Sequence, residues 1–248
     1  MHKIYIFDVD GTLTPSRRPM TEEFLEFFNG WSKRNPFYLV SGSDLPKMKE
    51  QVPEFILERA EGLFTCGGNQ LYRDDELMYE HKFTPPKDLI KYLDEQVRIS
   101  KTPVKSTTHI EDRGSMVNFS VVGRDCTLEE RKKYFEWDNE SGEREQIAKY
   151  IKKQWPELDA VIGGQISIDI VKRGFDKSQV IFEIMYRNVV TSKDNYVFIG
   201  DRTMEGGNDY PLAKAMKELG NCKVFQAGAP SAEDGYIKTR EILEKLND

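Results

Sequence analysis

Apolar residues recur along this chain in short runs that are separated by stretches of helical periodicity. Strand-forming runs lie at Ile4–Phe7, Phe37–Val40, Leu63–Cys66, Tyr196–Ile199 and Lys223–Phe225. Apolar positions three and four residues apart predict helices over Met20–Ser32, Asp44–Ala60, Pro211–Leu219 and Glu233–Leu246. Strands that alternate with helices are typical of a parallel sheet covered on both faces. The pattern therefore predicts an α/β core with a Rossmann-like parallel sheet.

The pattern changes over residues 83–173, between the third and fourth of these strands. Here predicted helices and period-two strands are mixed, at Pro86–Ile99, Met116–Val122, Glu143–Trp155 and Gln165–Val171. The mixture indicates a small α+β domain inserted into the core, with Pro and Gly residues supplying turns at its borders. We therefore expect a core formed by residues 1–82 and 174–248 and an inserted domain formed by residues 83–173.

Composition limits the classes of partner. With 248 residues, 38% of them hydrophobic, the chain can form a packed core. The formal net charge of -6 argues against nucleic acid as the main partner, because binding to a phosphate backbone requires a basic surface. The three cysteines, Cys66, Cys126 and Cys222, are widely spaced and indicate neither a disulfide framework nor a zinc site. Without a leader-like start or a membrane-length apolar run, we expect a cytoplasmic protein with no membrane partner.

Two carboxylates directly follow the first strand. Residues 7–14 read FDVDGTLT, which puts Asp8 and Asp10 at the carboxyl edge of the predicted sheet. Nearby carboxylates repel, and Mg²⁺ suits such a pair because it accepts carboxylates together with water and phosphate oxygens. Asp8 can then act as a nucleophile toward phosphorus, and Asp10 can exchange a proton with an alcohol. The alternative is a solvated turn, which Asp-Gly alone would favour.

Two further residues are candidates for binding phosphate. Ser41 follows the second strand in a hydroxyl-rich turn before a helix, where its hydroxyl and backbone donors can hold phosphate oxygens. The same pattern is also common in an ordinary helix N-cap. Lys177 can neutralise a phosphoryl group, although a single lysine is more often a solvated surface charge.

A second strand also ends in an acid. In residues 196–210, YVFIGDRTMEGGNDY, the strand brings Asp201 to the same sheet edge as the first pair. The Gly-Gly turn allows the backbone to bring Asn208 and Asp209 close to it. A Gly-rich loop with incidental acids would not explain why acids terminate two strands, so we interpret these residues as part of one metal and phosphate site.

Together these motifs resemble the haloacid dehalogenase superfamily of phosphotransferases over the whole predicted core. The resemblance implies that Asp8 is the nucleophile, that Asp10 is the acid/base, and that Ser41 and Lys177 bind phosphate. It further implies a metal site formed by Asp8, Asp10, Asp201, Asn208 and Asp209.

The inserted segment resembles the cap of the eukaryotic-type α-phosphomannomutases. The matching stretches, in order, are RGSMVNFS from Arg113, VGRDC from Val122, EER from Glu129, GGQISID from Gly163, GFDK from Gly174 and GGNDY from Gly206. In that family a basic cap binds the phosphate farther from the metal. The resemblance therefore implies substrate binding by Arg17, Arg113, Arg124, Arg131, Ser167 and Asp169.

The charges of the inserted segment agree with that implication. Arg113, Arg124 and Arg131 lie close together in an otherwise acidic chain, and guanidinium groups match the geometry of phosphate oxygens. The alternative is that such arginines form solvent-exposed pairs with acids three or four residues away on a helix.

The resemblance implies a phosphomannomutase that interconverts mannose 6-phosphate and mannose 1-phosphate through an aspartyl-phosphate and a hexose bisphosphate. It implies Mg²⁺ as cofactor, hexose 1,6-bisphosphate as activator, a hexose phosphate as substrate, a role in GDP-mannose biosynthesis and a homodimer formed through the cap. Two alternatives remain at this point. One is a capped sugar-phosphate phosphatase, in which water accepts the phosphoryl group, and the other is a catalytically silent sugar-phosphate-binding protein.

Overall fold

The computed structural model describes residues 3–187, 195–229 and 234–247. The chain divides into two compact units, one formed by Met1–Glu80 and Phe175–Asp248 and the other by His81–Gly174. We call the first the core unit and the second the cap unit, and each is described by itself. Glu233, the first residue of the predicted closing helix, lies outside the described residues.

The core unit is built on a sheet that has seven strands within the described ranges. They are β1 (Lys3–Asp8), β2 (Phe37–Val40), β3 (Gly62–Thr65), β4 (Gln70–Arg73), β5 (Glu76–Glu80), β10 (Asn195–Gly200) and β11 (Cys222–Gln226), in the spatial order β11-β10-β1-β2-β3-β4-β5. The first five strands in that order are parallel to one another. Strand β4 pairs antiparallel with β3, and β5 pairs antiparallel with β4. Parallel strands need crossover connections, which the helices supply.

Both faces of this sheet are covered. The helices of the core unit are α1 (Glu22–Ser32), α2 (Leu45–Gln51), α3 (Glu54–Leu57), α7 (Gln179–Arg187), α8 (Tyr210–Leu219) and α9 (Gly235–Asn247). On β1, Tyr5 and Phe7 pack in one apolar cluster with residues of α1, whereas Ile6 packs in a second cluster with residues of α7 and α8. This period-two alternation between two buried faces confirms the predicted α/β core.

The structure corrects one prediction within the core unit and adds a hairpin that the sequence analysis did not predict. The helix predicted over Asp44–Ala60 is two helices, α2 and α3, because Pro53 cannot continue a helix and stands as the N-cap of α3. The β4–β5 hairpin was not predicted. Its turn places Asp74 and Asp75 at positive φ, a conformation that aspartate tolerates but that lacks the usual glycine signal of a hairpin.

The cap unit combines an antiparallel sheet with three helices among its residues. The strands are β6 (Ile110–Asp112), β7 (Val117–Phe119), β8 (Leu158–Gly163) and β9 (Ser167–Lys172), in the order β6-β7-β9-β8. The helices are α4 (Lys87–Ile99), α5 (Leu128–Ser141) and α6 (Glu143–Gln154). Their apolar residues form a separate buried cluster with those of the sheet. Helix α5, which the apolar pattern did not predict, begins with a capping box formed by Thr127 and Glu130.

None of the helices in the described part of the chain is both long enough and apolar enough to cross a lipid bilayer.

We expect the change Glu143→Gln to stabilise the protein at neutral pH. Burial raises the pKa of the Glu143 carboxyl above its ordinary value of 4.5, against hydrogen bonds from Ser100 and Tyr134 that lower it. A carboxyl whose pKa is raised in the folded state contributes stability at low pH, and this contribution is lost as the pH rises through the folded-state pKa. The variant should therefore have a higher Tm than the original chain at pH 7, and the difference should disappear below about pH 4.5. A difference in Tm that grows on acidification would contradict this expectation.

Candidate active site

Three buried carboxylates meet at the carboxyl edge of the core sheet. Asp8 is the last residue of β1, Asp201 directly follows the neighbouring strand β10, and Asp209 is the N-cap of α8. Their exposed fractions are 3%, 4% and 0%. One carboxylate oxygen of each lies within 4.8 Å of those of the other two. Because like charges repel strongly at this separation, the cluster requires compensating positive charge.

Lys177 supplies part of that charge. Its buried ammonium group donates hydrogen bonds of 2.6 Å to Asp8 Oδ1 and to Asp209 Oδ1. Burial lowers the pKa of Lys177, but attraction to Asp209 and Asp8 outweighs burial and raises the pKa above its ordinary value of 10.5. The ammonium group therefore stays charged at neutral pH, and Lys177 is not the solvated surface lysine of the alternative interpretation.

The charge state of Asp8 depends on its neighbours. Burial, and after it repulsion from Asp209, raises the pKa of the Asp8 carboxyl well above its ordinary value of 3.8, while Lys177 acts in the opposite direction. With one ammonium group among three carboxylates, the cluster retains two formal negative charges when ionised. This is the charge that a divalent cation would offset, so the donor set fits Mg²⁺.

The two remaining predicted metal ligands, Asn208 and Asp10, lie one and two residues from members of this cluster in the sequence. Asn208 precedes Asp209, and its Oδ1 atom is buried without a hydrogen-bond partner among the described residues. A buried oxygen without a hydrogen-bond partner lowers the stability of the fold unless another group, such as a cation, binds to it. Asp10 lies two residues after Asp8 and is half-buried.

Two glycines allow the acids to approach the backbone so closely. A Cβ atom added to Gly11, which has a φ of +81°, would lie 2.8 Å from Asp201 Oδ2. A Cβ atom added to Gly200 would lie 2.6 Å from Asp209 Oδ2. Any larger residue at either position would displace a carboxylate, so these glycines are part of the way in which the fold builds the cluster.

Asp10 is held by two donors that bind the same oxygen. The backbone N–H of Arg17 and the side-chain Nε2 of Gln51 both donate to Asp10 Oδ1, and the second bond measures 3.2 Å. Arg17 has a positive φ of 57°, and its bond to Asp10 is made by the backbone N–H and not by the side chain. One carboxylate oxygen of Asp10 therefore accepts hydrogen bonds both from the loop that follows β1 and from the end of α2.

Ser41 is buried directly after β2, and its hydroxyl accepts a hydrogen bond of 3.0 Å from the backbone N–H of Ser43. The N-cap of α2 is Asp44, whose side chain accepts from the backbone N–H of Lys47. Ser41 is therefore not the N-cap itself. It lies at the carboxyl edge of the strand adjacent to β1, on the same edge as Asp8.

A pair of amide side chains supports the segment that carries Lys177. Asn69, which is fully buried, donates a hydrogen bond of 2.9 Å to the backbone oxygen of Phe175. Gln179 Nε2 donates in turn to Asn69 Oδ1 at 3.3 Å. These bonds connect Asn69, in the turn between β3 and β4, to Phe175 and Gln179, which lie two residues before and two residues after Lys177.

In the cap unit, one carboxylate organises two of the predicted phosphate-binding arginines. Glu111 Oε2 accepts hydrogen bonds from Arg113, of which the bond to Nε is 3.0 Å, and lies 3.5 Å from Arg124 Nε. Arg124 also donates a hydrogen bond of 2.7 Å to Ser167 Oγ. The side chains of Arg113 and Arg124 are 5% and 12% exposed. They are therefore not the solvent-exposed helical pairs of the alternative interpretation.

Three further predicted substrate ligands, Arg131, Ser167 and Asp169, also belong to the cap unit, whereas Arg17 belongs to the core unit. Asp169 lies opposite Asn118 in the β7–β9 pair, and Asn118 Nδ2 donates to Asp169 Oδ1 at 2.6 Å. Arg131 is buried on α5. Beneath Ser167, the buried Arg144 pairs with Asp138 at 2.7 Å and donates to the backbone oxygen of Ser167. The buried ion pair of Arg144 and Asp138 thus holds the backbone at Ser167.

The sequence analysis assigned no functional role to several residues of these arrangements, namely Gln51, Asn69, Glu111, Asn118 and Arg144. Gln51 had a detectable signal, because it is a polar residue three positions after Met48 on the apolar stripe of a predicted helix. The others act by hydrogen bonding to residues on different elements, which no local pattern encodes.

The fold and the buried acid cluster define a class of α/β protein. The structure is similar to that of a haloacid dehalogenase-like hydrolase from Bacteroides thetaiotaomicron, with a TM-score of 0.60 and 16% identity over 99% of this chain and 100% of that chain. This similarity establishes a haloacid-dehalogenase-like fold, as predicted, and at such low identity it establishes the fold alone.

Sequence comparison narrows the class. The family model described as eukaryotic phosphomannomutase matches residues 24–244. A phosphomannomutase from Encephalitozoon cuniculi is 34% identical, over 98% of this chain and 94% of the relative, and one from Drosophila melanogaster is 36% identical, over 84% of this chain and 85% of the relative. The chain therefore belongs to the eukaryotic phosphomannomutase family, which confirms the resemblance seen in the sequence.

Proposed function

We propose that this protein is a Mg²⁺-dependent phosphomannomutase that interconverts mannose 6-phosphate and mannose 1-phosphate. The observation that carries the proposal is the buried arrangement of Asp8, Asp209 and Lys177, in a chain whose relatives over nearly its whole length are named phosphomannomutases. The unit His81–Gly174 would serve as the cap, and the remainder would serve as the catalytic core.

In the core unit, Asp8 forms a bond to the phosphorus of a hexose 1,6-bisphosphate while the bond to the sugar oxygen breaks, which gives phospho-Asp8 and a hexose monophosphate. Asp10 gives a proton to the departing sugar oxygen and takes one back from the hydroxyl that later accepts the phosphoryl group. Lys177 and the Ser41 turn offset the charge of the phosphoryl oxygens. Phospho-Asp8 then passes its phosphoryl group to the free hydroxyl of a bound hexose monophosphate, which gives a hexose bisphosphate. After the sugar has turned end for end, Asp8 takes back the phosphoryl group at the opposite end, and this completes the isomerisation.

The metal would be held by Asp8, Asp10, Asp201, Asn208 and Asp209. The three buried carboxylates and the unpaired Asn208 oxygen favour this assignment. When bound, Mg²⁺ supplies positive charge that keeps the Asp8 carboxylate ionised and offsets the phosphoryl oxygens.

In the cap unit, Arg113, Arg124 and Arg131 would bind the phosphate that is not being transferred. Guanidinium groups offer donors in a planar fork that matches phosphate oxygens, and the side chains of these arginines are largely buried. Ser167 and Asp169 would contact sugar hydroxyls, and Arg17 of the core unit would complete the set. The activator hexose 1,6-bisphosphate, a homodimer through the cap, a cytoplasmic location and a role in GDP-mannose biosynthesis follow from family membership and stay predictions.

A single assay separates this proposal from its alternatives. The protein is incubated with mannose 1-phosphate, Mg²⁺ and a trace of hexose 1,6-bisphosphate, and both mannose 6-phosphate and free phosphate are measured. We expect mannose 6-phosphate to be the dominant product. Dominant release of inorganic phosphate would instead identify a phosphatase, and tight binding without turnover would identify a silent binding protein.

We expect Arg124→Ala to weaken binding of the sugar phosphate more than it affects phosphorylation of Asp8. Loss of a charge-assisted hydrogen bond costs about 1.5–3 kcal/mol, which predicts a rise in KM for mannose 1-phosphate of roughly 10- to 100-fold. Phosphorylation of Asp8 by acetyl phosphate, a small donor without a second phosphate, should be unchanged. The exposed Arg98, which pairs with Glu95 on α4, gives the matched control Arg98→Ala. Equal loss in both reactions would contradict a role limited to the cap.

A further inference from the structure

Three polar side chains lie in register across the sheet of the cap unit, on the face away from its apolar cluster. Glu111 of β6 lies opposite Asn118 of β7, and Asn118 lies opposite Asp169 of β9. Residues directly opposite in antiparallel strands point to the same face of the sheet. The sequence neighbours of Asn118, Val117 and Phe119, point to the other face and belong to the apolar cluster. Asn118 is thus the neutral member of a row that otherwise consists of acids.

The Asn118 side chain is buried and donates to one of these acids. It is 4% exposed, and its Nδ2 atom donates a hydrogen bond of 2.6 Å to Asp169 Oδ1. The reverse orientation of the amide would bring two acceptor oxygens together, because an ionised carboxylate only accepts. The observed orientation leaves Asn118 Oδ1 buried without a hydrogen-bond partner among the residues that the structure describes. The hydrogen bond to Asp169 is therefore retained at a cost in stability.

The second carboxylate oxygen of Asp169 is confined by the backbone of the adjacent strand. A Cβ atom added to Gly163, the last residue of β8, would lie 2.7 Å from Asp169 Oδ2. Because this distance is too short for two non-bonded atoms, a larger residue at this position would displace the carboxylate. The carboxylate is therefore held at one oxygen by the amide of Asn118 and limited at the other by the backbone at Gly163.

We propose that Asn118 is a positioning residue for sugar recognition, which acts by fixing the orientation of the Asp169 carboxylate. The proposal rests on the proposed function in one respect, namely that Asp169 contacts a hydroxyl of the hexose. A carboxylate that is already oriented binds a hydroxyl more tightly, because ordering a side chain on binding costs free energy. Asn118 itself does not contact the sugar in this scheme, and its effect on binding passes through Asp169.

The row separates two kinds of recognition. Glu111 contacts the guanidinium groups of Arg113 and Arg124, which are proposed to bind phosphate. Asn118 contacts the carboxylate that is proposed to bind the sugar ring. Loss of the Asn118 donor should therefore weaken recognition of the sugar hydroxyls and leave recognition of the phosphate unchanged.

The test compares two unreactive ligands in the full-length, Mg²⁺-loaded variant Asn118→Leu. Leucine has the same branching as asparagine and no polar atoms, so it fills the space and removes the hydrogen bond. The first ligand is the phosphonate analogue of mannose 1-phosphate, in which a CH₂ group replaces the bridging oxygen, so that no phosphoryl transfer follows binding. The second ligand is methylphosphonate, which has no sugar hydroxyls. Both dissociation constants are measured by calorimetry.

We expect the dissociation constant of the sugar phosphonate to rise by about tenfold in Asn118→Leu, the lower end of the effect of a hydrogen bond to a charged group. The dissociation constant of methylphosphonate should be unchanged. The control Asn139→Leu makes the same substitution at an exposed position of α5 and should affect neither ligand. If Asn118→Leu does not fold, Asn118→Ser decides, because serine stays polar but is one atom too short to make the same bond to Asp169.

A double-mutant cycle determines whether the effect passes through Asp169. The variant Asp169→Ala should bind the sugar phosphonate at least about tenfold more weakly, because the contact with the hydroxyl is lost. Addition of Asn118→Leu to Asp169→Ala should cause no further loss, because the group that Asn118 orients is then absent. Additive losses in the double variant would mean that Asn118 affects binding by another route, and they would overturn the proposal.

Equal weakening of both ligands, or no weakening of either, would also overturn the proposal, because a general disturbance of the cap unit does not distinguish a sugar from a methyl group. These outcomes are separable from that of the proposed function. If the original chain hydrolyses mannose 1-phosphate instead of isomerising it, the mutase assignment fails, and a selective loss in Asn118→Leu still supports the role of Asn118. If Asp169→Ala binds the sugar phosphonate as tightly as the original chain does, the role of Asn118 fails while the mutase assignment stands.

Discussion

Replacement of Asp8 by asparagine is expected to abolish turnover while the fold stays intact. The change removes the atom proposed to bond to phosphorus, and an amide is not a nucleophile of comparable strength. We expect kcat/KM for mannose 1-phosphate to fall by at least about 10³-fold, which corresponds to a loss of roughly 4 kcal/mol of transition-state stabilisation. The fold should tolerate the change, because the Asp8 carboxylate is disfavoured by burial and by repulsion from Asp209, and Lys177 keeps its bond to Asp209.

The experiment measures steady-state turnover and thermal unfolding in the same preparation. Asp94→Asn, at an exposed position of α4, makes the same chemical change away from the cluster and should leave both activity and Tm unaltered. Undiminished activity in Asp8→Asn would remove Asp8 as the nucleophile. A large drop in Tm would mean that the carboxylate is needed for folding, and loss of activity alone would then not identify its role.

We expect Lys177→Met to lose both stability and activity. The substitution leaves Asp8 and Asp209 buried without their shared cation, and removal of one partner from a buried ion pair typically costs about 3–5 kcal/mol. In metal-free buffer the free energy of unfolding should fall by that amount at pH 7. Turnover should fall as well, since the phosphoryl oxygens lose a neutralising charge.

The pH dependence of the Lys177 effect has a definite sign. The pKa of Lys177 is raised in the folded state above its ordinary value of 10.5. A cation with a raised pKa contributes stability that is complete below the unfolded-state pKa and is lost as the pH rises through the folded-state value. The difference between the original chain and Lys177→Met should therefore be full at pH 7 and shrink only as the pH rises beyond 10.5.

A matched lysine provides the control for this measurement. Lys47 pairs with Glu50 on the exposed surface of α2, and Lys47→Met should cost less than about 1 kcal/mol at pH 7. If Lys177→Met proved as harmless as Lys47→Met in urea unfolding, the ammonium group could not be holding the acid cluster together.

The core strands could be predicted because strands buried on both faces are continuous apolar runs. The run Ile4–Phe7 became β1, and Phe37–Val40 became β2 without change. The prediction of a single helix was wrong where the local pattern fits either one long helix or two short ones. The stretch Asp44–Ala60 has helical periodicity throughout, yet Pro53 breaks it into two helices, because the missing N–H and the ring prevent the chain from continuing.

The hairpin β4–β5 shows a different limit. Its second strand is exposed along most of its length and lies at the edge of the sheet, so it has no alternating apolar pattern to detect. This strand is formed by pairing with β4, in which Leu71 lies opposite Tyr79, and β4 pairs in turn with β3. Such a strand is defined by tertiary contacts and not by its own composition.

The sequence by itself determined the family, the α/β core and the identity of the acids that end β1 and β10, because each of these is written in contiguous residues. Tertiary structure alone decided that Lys177 would bridge Asp8 and Asp209, which lie 169 and 32 positions from it in the sequence. It also decided that Glu111 would contact both Arg113 and Arg124. The physical reason is that these contacts depend on which strands are neighbours and on where each loop turns back. The energies that select such an arrangement, burial and charge compensation, exist only after the chain has closed around it.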